Sequence, residues 1–272
     1  MKIKEIKAKS VITKSGLPDT DFVINPYVGC MHSCIYCYAR FMKMFTNHHE
    51  PWGKFLDVKI NSIDLIPEGT DKYIDKSIFL SSVTDPYQAI ERKYKLTRGI
   101  LKKLIPLQPD LSILTKSDLI ISDIDLLKRF KKCKAGVSLT LLDDNIRKEV
   151  EPLAVSVERR INAVKELKKA GISNYIFLSP MFPELTDWKG IINKTKGFVD
   201  EFWFENLNIR ATNWPDIKKW LQIKHPDLFK KYQEIYFTRN NYWNNIEKEI
   251  ELFCKKNNLN CSIYFHHQKS CS

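Results

Sequence analysis

The chain has 272 residues, 43% of them hydrophobic, which is enough to bury a substantial core. A formal net charge of +12 favours either a polyanionic partner or a solvated, lysine-rich surface. With no run of eighteen apolar residues and no signal-peptide core in MKIKEIKAKS, we expect a cytoplasmic protein without membrane association.

The first predicted strand, within DFVINPYVGC, leads directly into a group of three cysteines. Cys30, Cys34 and Cys37 have the spacing CxxxCxxC in a chain with seven cysteines. The odd number and the clustering argue against a disulfide framework and favour metal ligation. Gly29, just before the group, allows the backbone to approach a bound cofactor closely.

Two kinds of metal centre fit these cysteines. A structural zinc ion needs four ligands, and the fourth would be His32, His48 or His49, but the usual second CxxC pair is absent. A [4Fe–4S] cluster held by three thiolates leaves one iron open to a substrate or cosubstrate. The first centre indicates a zinc-stabilised nucleic-acid-binding module, and the second indicates an enzyme.

After residue 75, short apolar runs alternate with helical stretches. The predicted strands are KSIFLSSVTDP, LSILTKS, AGVSLTLLDD, NYIFLSPMFP, EFWFENLN and CSIYFHH. The longest helix in this part is predicted from Ser156 to Ala170, with Ser156 as N-cap and Gly171 as its stop. Repeated strand–helix units require a parallel sheet, so about seven strands predict an α/β fold with an open or partial barrel.

The C-terminal part is predicted to be helical and continuous with the sheet. The segment from Trp214 to Asn258 has apolar residues at core spacing and no Gly/Ser linker before it. We therefore expect a single domain over 1–272, with a core of about 20–210 and a C-terminal extension of about 211–272 that ends in the last strand.

Polar residues follow the predicted strands, where the active sites of parallel sheets lie. They are Cys30, Thr84, Asp85, Lys116, Thr140, Ser179 and Asn206. Loops begin at these positions in any case, so no single residue predicts a site. The set as a whole predicts a site at the carboxyl ends of the parallel strands.

The cysteine spacing, with Tyr36 before the third cysteine, resembles the radical S-adenosylmethionine (SAM) superfamily. Over roughly Asn25 to Pro183 the chain resembles the branch related to spore photoproduct lyase. Five stretches in order carry this likeness: NPYVGCMHSCIYCYAR, SSVTDPYQAIERKYKLTR, ILTKSDLIISDIDLL, VSLTLLDD and EVEPLAVSVERRINAVKELKKAGI. The resemblance implies a partial (β/α)6-type TIM barrel and reductive cleavage of SAM at a [4Fe–4S] cluster.

The resemblance assigns the cluster and the hydrogen transfer to single positions. It implies that Cys30, Cys34 and Cys37 bind the cluster and that the open iron binds SAM. The 5′-deoxyadenosyl radical released from SAM then abstracts a hydrogen atom from the substrate. Tyr36 and Tyr38 match a tyrosine pair that lies beside SAM and serves hydrogen transfer. A further matching pair, Glu151 and Arg160, has no implied role beyond pairing with each other.

Contacts to SAM are implied at five other positions. Thr84 and Asp85 match residues near the methionine moiety, and Lys116 matches a lysine that pairs with the carboxylate. Ser138 matches a contact to the ribose or methionine region. Ser179 falls where the backbone meets the adenine. The implied electron donor is a flavodoxin or ferredoxin, and we expect a monomer.

One departure concerns the hydrogen donor. The lyase carries a cysteine at the position that Ser82 occupies here, and a serine O–H bond is too strong to quench a carbon radical readily. The leading prediction is therefore a radical SAM enzyme acting on an unidentified substrate, for which the charge and the resemblance favour a nucleic acid or nucleotide. DNA photoproduct repair is the alternative within the same class.

Two further segments allow more than one interpretation. FMKMFTNHHEPWGKF is either a lid over the barrel mouth or a helix that packs its Met and Phe residues into the core. In FWFENLNIR, Phe202 and Phe204 are predicted core residues. The polar residues of that segment are candidates for substrate contacts: Glu205, Asn206, Asn208 and Arg210.

The C-terminal cysteines do not have the spacing of a compact cluster. Cys254, Cys261 and Cys271 lie near His266 and His267. We predict buried thiols and a frayed tail rather than a second iron–sulfur site.

Overall fold

The computed structural model describes residues 1–266, which contain eleven strands. The strands are β1 (Lys2–Ile6), β2 (Ile12–Lys14), β3 (Phe22–Ile24), β4 (Tyr27–Val28), β5 (Phe55–Lys59), β6 (Ser77–Leu80), β7 (Asp110–Thr115), β8 (Cys133–Ser138), β9 (Ser173–Met181), β10 (Glu201–Asn206) and β11 (Cys261–Ile263).

The helices lie between these strands. The α-helices are α1 (Glu91–Tyr94), α2 (Leu96–Leu104), α3 (Ile124–Leu127), α4 (Asp144–Val150), α5 (Val157–Lys169), α6 (Trp188–Thr195), α7 (Trp214–Lys224), α8 (Pro226–Phe237) and α9 (Tyr242–Lys256). The 3₁₀-helices are Tyr38–Phe45, Asp71–Tyr73, Ile105–Leu107 and Asp118–Asp123.

The main sheet has eight strands in the order β11-β10-β9-β8-β7-β6-β3-β2. From β3 to β11 neighbouring strands are parallel and follow chain order, while β2 is antiparallel to β3 at the edge. Each parallel step needs a crossover, which the helices provide. The predicted α/β fold with about seven parallel strands in a partial barrel is confirmed.

Helix α5 shows how local sequence fixes a crossover. The Ser156 hydroxyl accepts the Arg159 N–H at 3.4 Å, and Gly171 takes φ +76° just beyond the end of the helix. The apolar face of the helix packs against β8 and β9. Its buried residues include Val157, Ile161, Val164 and Leu167.

The first predicted strand is wrong in one respect, because DFVINPYVGC forms two strands. Strand β3 ends at Ile24, and Tyr27 and Val28 pair with β5 in a separate sheet of order β1-β5-β4. Pro26 lies between them and has no N–H for a sheet ladder, so pairing with the main sheet stops there. The loop of residues 29–37 carries the three cysteines, and we call it the cysteine loop. The second sheet places it beside β5.

The segment RKYKLTRGILKKLI, which follows β6, forms two helices. Lys95 takes φ +51°, so α1 ends and α2 begins in a new direction. The buried Glu91 carboxylate of α1 accepts the Thr97 N–H of α2 at 2.7 Å, so one helix caps the next.

Within residues 1–266, no helix combines the length and the apolar character that a membrane span requires.

A substitution at one position in the sheet tests the packing between β8 and β9 directly. Gly136 on β8 pairs with Tyr175 on β9, and a Cβ at Gly136 would lie 2.1 Å from the Tyr175 ring. We expect Gly136→Ala to lower the free energy of unfolding by about 1–3 kcal/mol, because the buried ring must move.

The measurement is urea unfolding followed by circular dichroism. Gly197→Ala is the control, since a Cβ there meets no atom within 4 Å. Equal stability of the two variants would contradict the packing described for β8 and β9.

Candidate functional site

The cysteine loop is fixed by contacts from the loop after β6. Gly29 takes φ +94°, and a Cβ there would lie 2.7 Å from the Phe55 carbonyl oxygen, so only glycine fits. Thr84 Oγ1 donates to the Gly29 carbonyl oxygen at 2.5 Å, and the Met31 N–H donates to Gln88 Oε1 at 2.8 Å. Thr84, predicted to contact SAM, therefore holds the loop.

The three thiols lie in one loop, where Cys34 is buried and Cys30 and Cys37 are half-buried. Burial raises the pKa of Cys34 to about 12, with the Glu151 carboxylate as the second cause. Burial also raises the pKa of Cys37. The pKa of Cys30 is raised by burial first, and then by Asp85 and the other two thiols. Because thiolates are the metal-binding form, loading a metal here displaces protons.

The histidines considered as a fourth zinc ligand lie in other surroundings. His32 Nε2 is 3.0 Å from Asp85 Oδ2, His48 Nε2 is 2.7 Å from Asp57 Oδ1, and His49 is exposed. In residues 1–266 no three His, Cys, Asp or Glu side chains are grouped to hold a single metal ion. Zinc ligands converge at about 2.3 Å on one ion, whereas thiolates on separate irons of a cluster need not. Three cysteine thiols in one loop are donors of the kind that an iron–sulfur cluster takes.

A buried network connects the cysteine loop to the centre of the sheet. The Tyr36 hydroxyl donates to the Glu151 carboxylate, which forms an ion pair with Arg160. Arg160 Nη1 also donates to the Ser138 carbonyl oxygen at 3.0 Å. Burial alone would raise the pKa of Glu151, but Arg160 and Lys116 lower it, so the carboxylate stays ionised. Glu151 and Arg160 are 0% and 1% exposed.

The two predicted catalytic tyrosines have different surroundings. Tyr36 is 7% exposed, whereas Tyr38 is 42% exposed and its hydroxyl donates to the Ser82 carbonyl oxygen. Ser82 Oγ accepts a hydrogen bond from Asn25 Nδ2 at 3.4 Å. The position where the lyase carries cysteine therefore lies directly against Tyr38.

Asp85, predicted to contact SAM, is saturated by hydrogen bonds from the protein. Its carboxylate accepts from Thr115 Oγ1 at 2.6 Å and from the N–H groups of Tyr87 and Lys116, both at 2.8 Å. Burial opposes ionisation, but His32, Thr115 and Lys116 favour it and lower the pKa of Asp85 to about 2. Asp85 therefore joins the loops after β6 and β7.

The remaining predicted SAM contacts form one chain of polar groups. Lys116 Nζ donates to Ser138 Oγ at 3.0 Å, and Ser138 Oγ donates to the Ser179 carbonyl oxygen at 3.1 Å. Ser179 Oγ in turn donates to the Glu205 carboxylate. These residues lie within about two residues of the carboxyl ends of β7, β8, β9 and β10, so the structure brings them together. Lys116 Nζ also lies 5.8 Å from the centre of the Tyr36 ring.

Asn213 was not among the predicted site residues. It is 0% exposed, and its Nδ2 donates to the carbonyl oxygens of Tyr36 at 2.9 Å and Asn208 at 3.0 Å. Its Oδ1 accepts the Arg210 N–H at 2.8 Å. The Asn-Trp-Pro sequence signals a helix start. No local pattern could show a partner 177 residues away.

The C-terminal candidates lie in structural positions. Asn206 is buried, and its Oδ1 accepts the His266 N–H at 2.8 Å, so it supports the segment after β11. Cys254 is buried in the core and Cys261 is half-buried beside it. Two residues of this group lie outside the described residues: Cys271 and His267.

Known proteins share this sequence pattern and this fold. The family profile described as Radical SAM superfamily matches residues 24–192. An uncharacterised protein of Methanocaldococcus jannaschii is 42% identical over 230 residues, 85% of this chain and 86% of that protein. A radical SAM Nalpha-GlyT isomerase of a Pseudomonas phage is 27% identical over 160 residues, 58% of this chain and 32% of its own length. The structure of spore photoproduct lyase complexed with dinucleoside spore photoproduct has a TM-score of 0.69 at 16% identity, covering 97% of this chain and 82% of that one.

Substitution of Glu151 tests the buried ion pair with Arg160. We expect Glu151→Ala to lower the free energy of unfolding by about 3–5 kcal/mol, because it leaves the Arg160 charge buried without its partner. Denaturant unfolding of the metal-free, reduced protein measures the loss.

Glu249→Ala is the matched control. It removes an exposed carboxylate 3.3 Å from Lys189, and we expect a change below about 1 kcal/mol. If Glu151→Ala were no more destabilising than this control, Arg160 would not depend on Glu151.

Proposed function

The chain belongs to the radical SAM superfamily, and we propose that Cys30, Cys34 and Cys37 hold a [4Fe–4S] cluster at which it cleaves SAM reductively. When bound, these groups supply a 5′-deoxyadenosyl radical that abstracts a hydrogen atom from a substrate. The observation that carries the proposal is the position of the three thiols. They share one loop, in which Cys34 is buried. Lys116, just after β7, lies 5.8 Å from the centre of the Tyr36 ring in that loop.

Lys116 is the proposed partner of the SAM carboxylate. Its ammonium group has three N–H donors, of which Ser138 Oγ accepts one. Asp85 fixes the Lys116 backbone, so the long side chain starts from a rigid point. We assign Ser138 and Ser179 to the ribose and adenine end, since they continue the same polar chain.

The two tyrosines receive different proposed roles. The Tyr36 hydroxyl is bound to the Glu151 carboxylate, so we assign Tyr36 to positioning the cysteine loop. The Tyr38 hydroxyl lies against Ser82 and its ring is partly exposed, so we assign Tyr38 to contact with the substrate and to hydrogen transfer. Water is excluded from the first tyrosine and reaches the second.

We propose a nucleic acid or nucleotide as the substrate. The net charge of +12 favours a polyanion, and the fold resembles that of a lyase complexed with a dinucleoside spore photoproduct. The proposal includes an electron donor such as a flavodoxin or ferredoxin. It treats residues 1–272 as one domain that acts as a monomer.

Cysteine substitution tests the cluster. We expect Cys34→Ala to lose the bound iron and to abolish 5′-deoxyadenosine release from SAM, because one of three thiolates is missing. Anaerobic reconstitution, iron and sulfide analysis and chromatography of the nucleoside measure both effects.

Cys133→Ala is the control, since this half-buried thiol lies on β8 and outside the cysteine loop. A colourless wild-type protein that bound one zinc ion would contradict the cluster and support the zinc-stabilised nucleic-acid-binding module. Full SAM cleavage by Cys34→Ala would show that the cluster assignment is wrong.

Photoproduct repair is tested separately. Because Ser82 replaces the hydrogen-donating cysteine, we expect no thymine release from a dinucleoside spore photoproduct under conditions in which SAM is cleaved. Product analysis by mass spectrometry decides the point. Stoichiometric thymine release would make Tyr36 and Tyr38, or another thiol, the donor and would make the chain a repair lyase.

A further inference from the structure

An apolar edge projects from the 3₁₀-helix that follows the last cysteine of the loop. In a 3₁₀-helix, residues three apart lie above one another, which aligns Tyr38, Phe41 and Met44, with Phe45 beside them. Their exposed fractions are 42%, 36%, 75% and 72%. Single exposed apolar residues are ordinary, but four on one short helix form a patch. We call these four residues the apolar edge.

The helix is firmly attached on its other side. Ala39 is buried, and Arg40 Nη2 donates to the Ile35 carbonyl oxygen at 2.8 Å. Arg40 also forms an ion pair with Asp216 of α7. The apolar edge is therefore held outward by an anchored helix and does not result from a loosely packed segment.

The apolar edge begins at the candidate site. Tyr38, its first residue, contacts the Ser82 carbonyl oxygen, and Cys37 immediately precedes it. A ligand that stacks along the apolar edge therefore reaches Tyr38, the residue to which hydrogen transfer is assigned.

The charge around the edge is positive. Lys43 lies on the same helix, where its Nζ donates to the His49 carbonyl oxygen at 3.1 Å, and the exposed Arg210 lies close enough to Tyr38 to interact with it electrostatically. Glu205, the nearby carboxylate, pairs with His266 at 2.9 Å. The whole chain has a net charge of +12, which opposes association of two copies through the same face.

We propose that the apolar edge is a stacking platform for the unpaired bases of a nucleic-acid strand. This inference rests on the proposed function, because it gives a binding surface to the proposed substrate class. Aromatic rings stack on any base, an apolar side chain such as Met44 enters between bases, and Lys43 and Arg210 face the phosphates. A strand whose bases are already unstacked fits this edge better than a closed duplex.

The test is fluorescence anisotropy with a fluorescein-labelled thymidine oligonucleotide of about twelve nucleotides. The protein is the reconstituted full chain, and the same oligonucleotide paired with its complement is the second probe. We expect tighter binding of the single strand. The double substitution Met44→Ala with Phe45→Ala should weaken single-strand binding by about tenfold or more, with an unchanged salt dependence because no cation is removed.

The matched control is the double substitution Phe237→Ala with Leu252→Ala. These residues are 58% and 69% exposed and lie on α8 and α9. Equal affinities of the two double variants, absence of binding by the wild type, or preference for the duplex would overturn the inference. A wild-type dimer that the Met44 and Phe45 substitutions dissociate would assign the edge to a second copy instead.

Failure of this inference and failure of the proposed function give different experimental results. Oligonucleotide binding does not require the cluster, whereas iron content and SAM cleavage by the wild type do not require the oligonucleotide. A wild type that cleaves SAM but binds no oligonucleotide contradicts only the platform. A wild type that binds the single strand through the edge but holds no iron contradicts only the cluster.

Discussion

Glu151 and Arg160 carry opposite charges where water does not reach, and the candidate site is arranged around them. An isolated buried charge is costly, so each group needs its partner and additional hydrogen bonds. The Tyr36 hydroxyl and the Ser138 carbonyl oxygen provide those bonds. The requirement to satisfy one ion pair thereby fixes the cysteine loop relative to the end of β8.

Much of the fold could be predicted from the sequence because apolar periodicity is a local property. The parallel strands and the capped helix α5 follow from runs and caps visible within short windows. The second sheet did not follow, since β1 and β5 pair over about fifty residues and four of the five residues of β1 are exposed. Pro26 marks the break locally, but the strand that pairs with Tyr27 and Val28 lies about thirty residues further along the chain.

The candidate site was predictable in composition and less so in arrangement. The cysteine spacing, the polar strand ends and the family resemblance identified residues that the structure brings together, including Lys116, Ser138 and Ser179. The contact of Thr84 and Asp85 with SAM stays a prediction, and the structure adds that both side chains make hydrogen bonds that hold neighbouring loops. Side-chain type indicates which chemistry is available, but only the three-dimensional contacts show which hydrogen bonds are already made.

Asn213 has a consequence for how proteins of this kind can diverge. Its amide joins the helical extension to the Tyr36 carbonyl oxygen, 177 residues earlier in the chain. Because a buried polar group without its partner is costly, losing the Asn213 amide would leave the Tyr36 carbonyl oxygen without this donor. Exchanging the extension for one that lacks this amide would therefore disturb the cysteine loop, although the two segments lie far apart in the sequence.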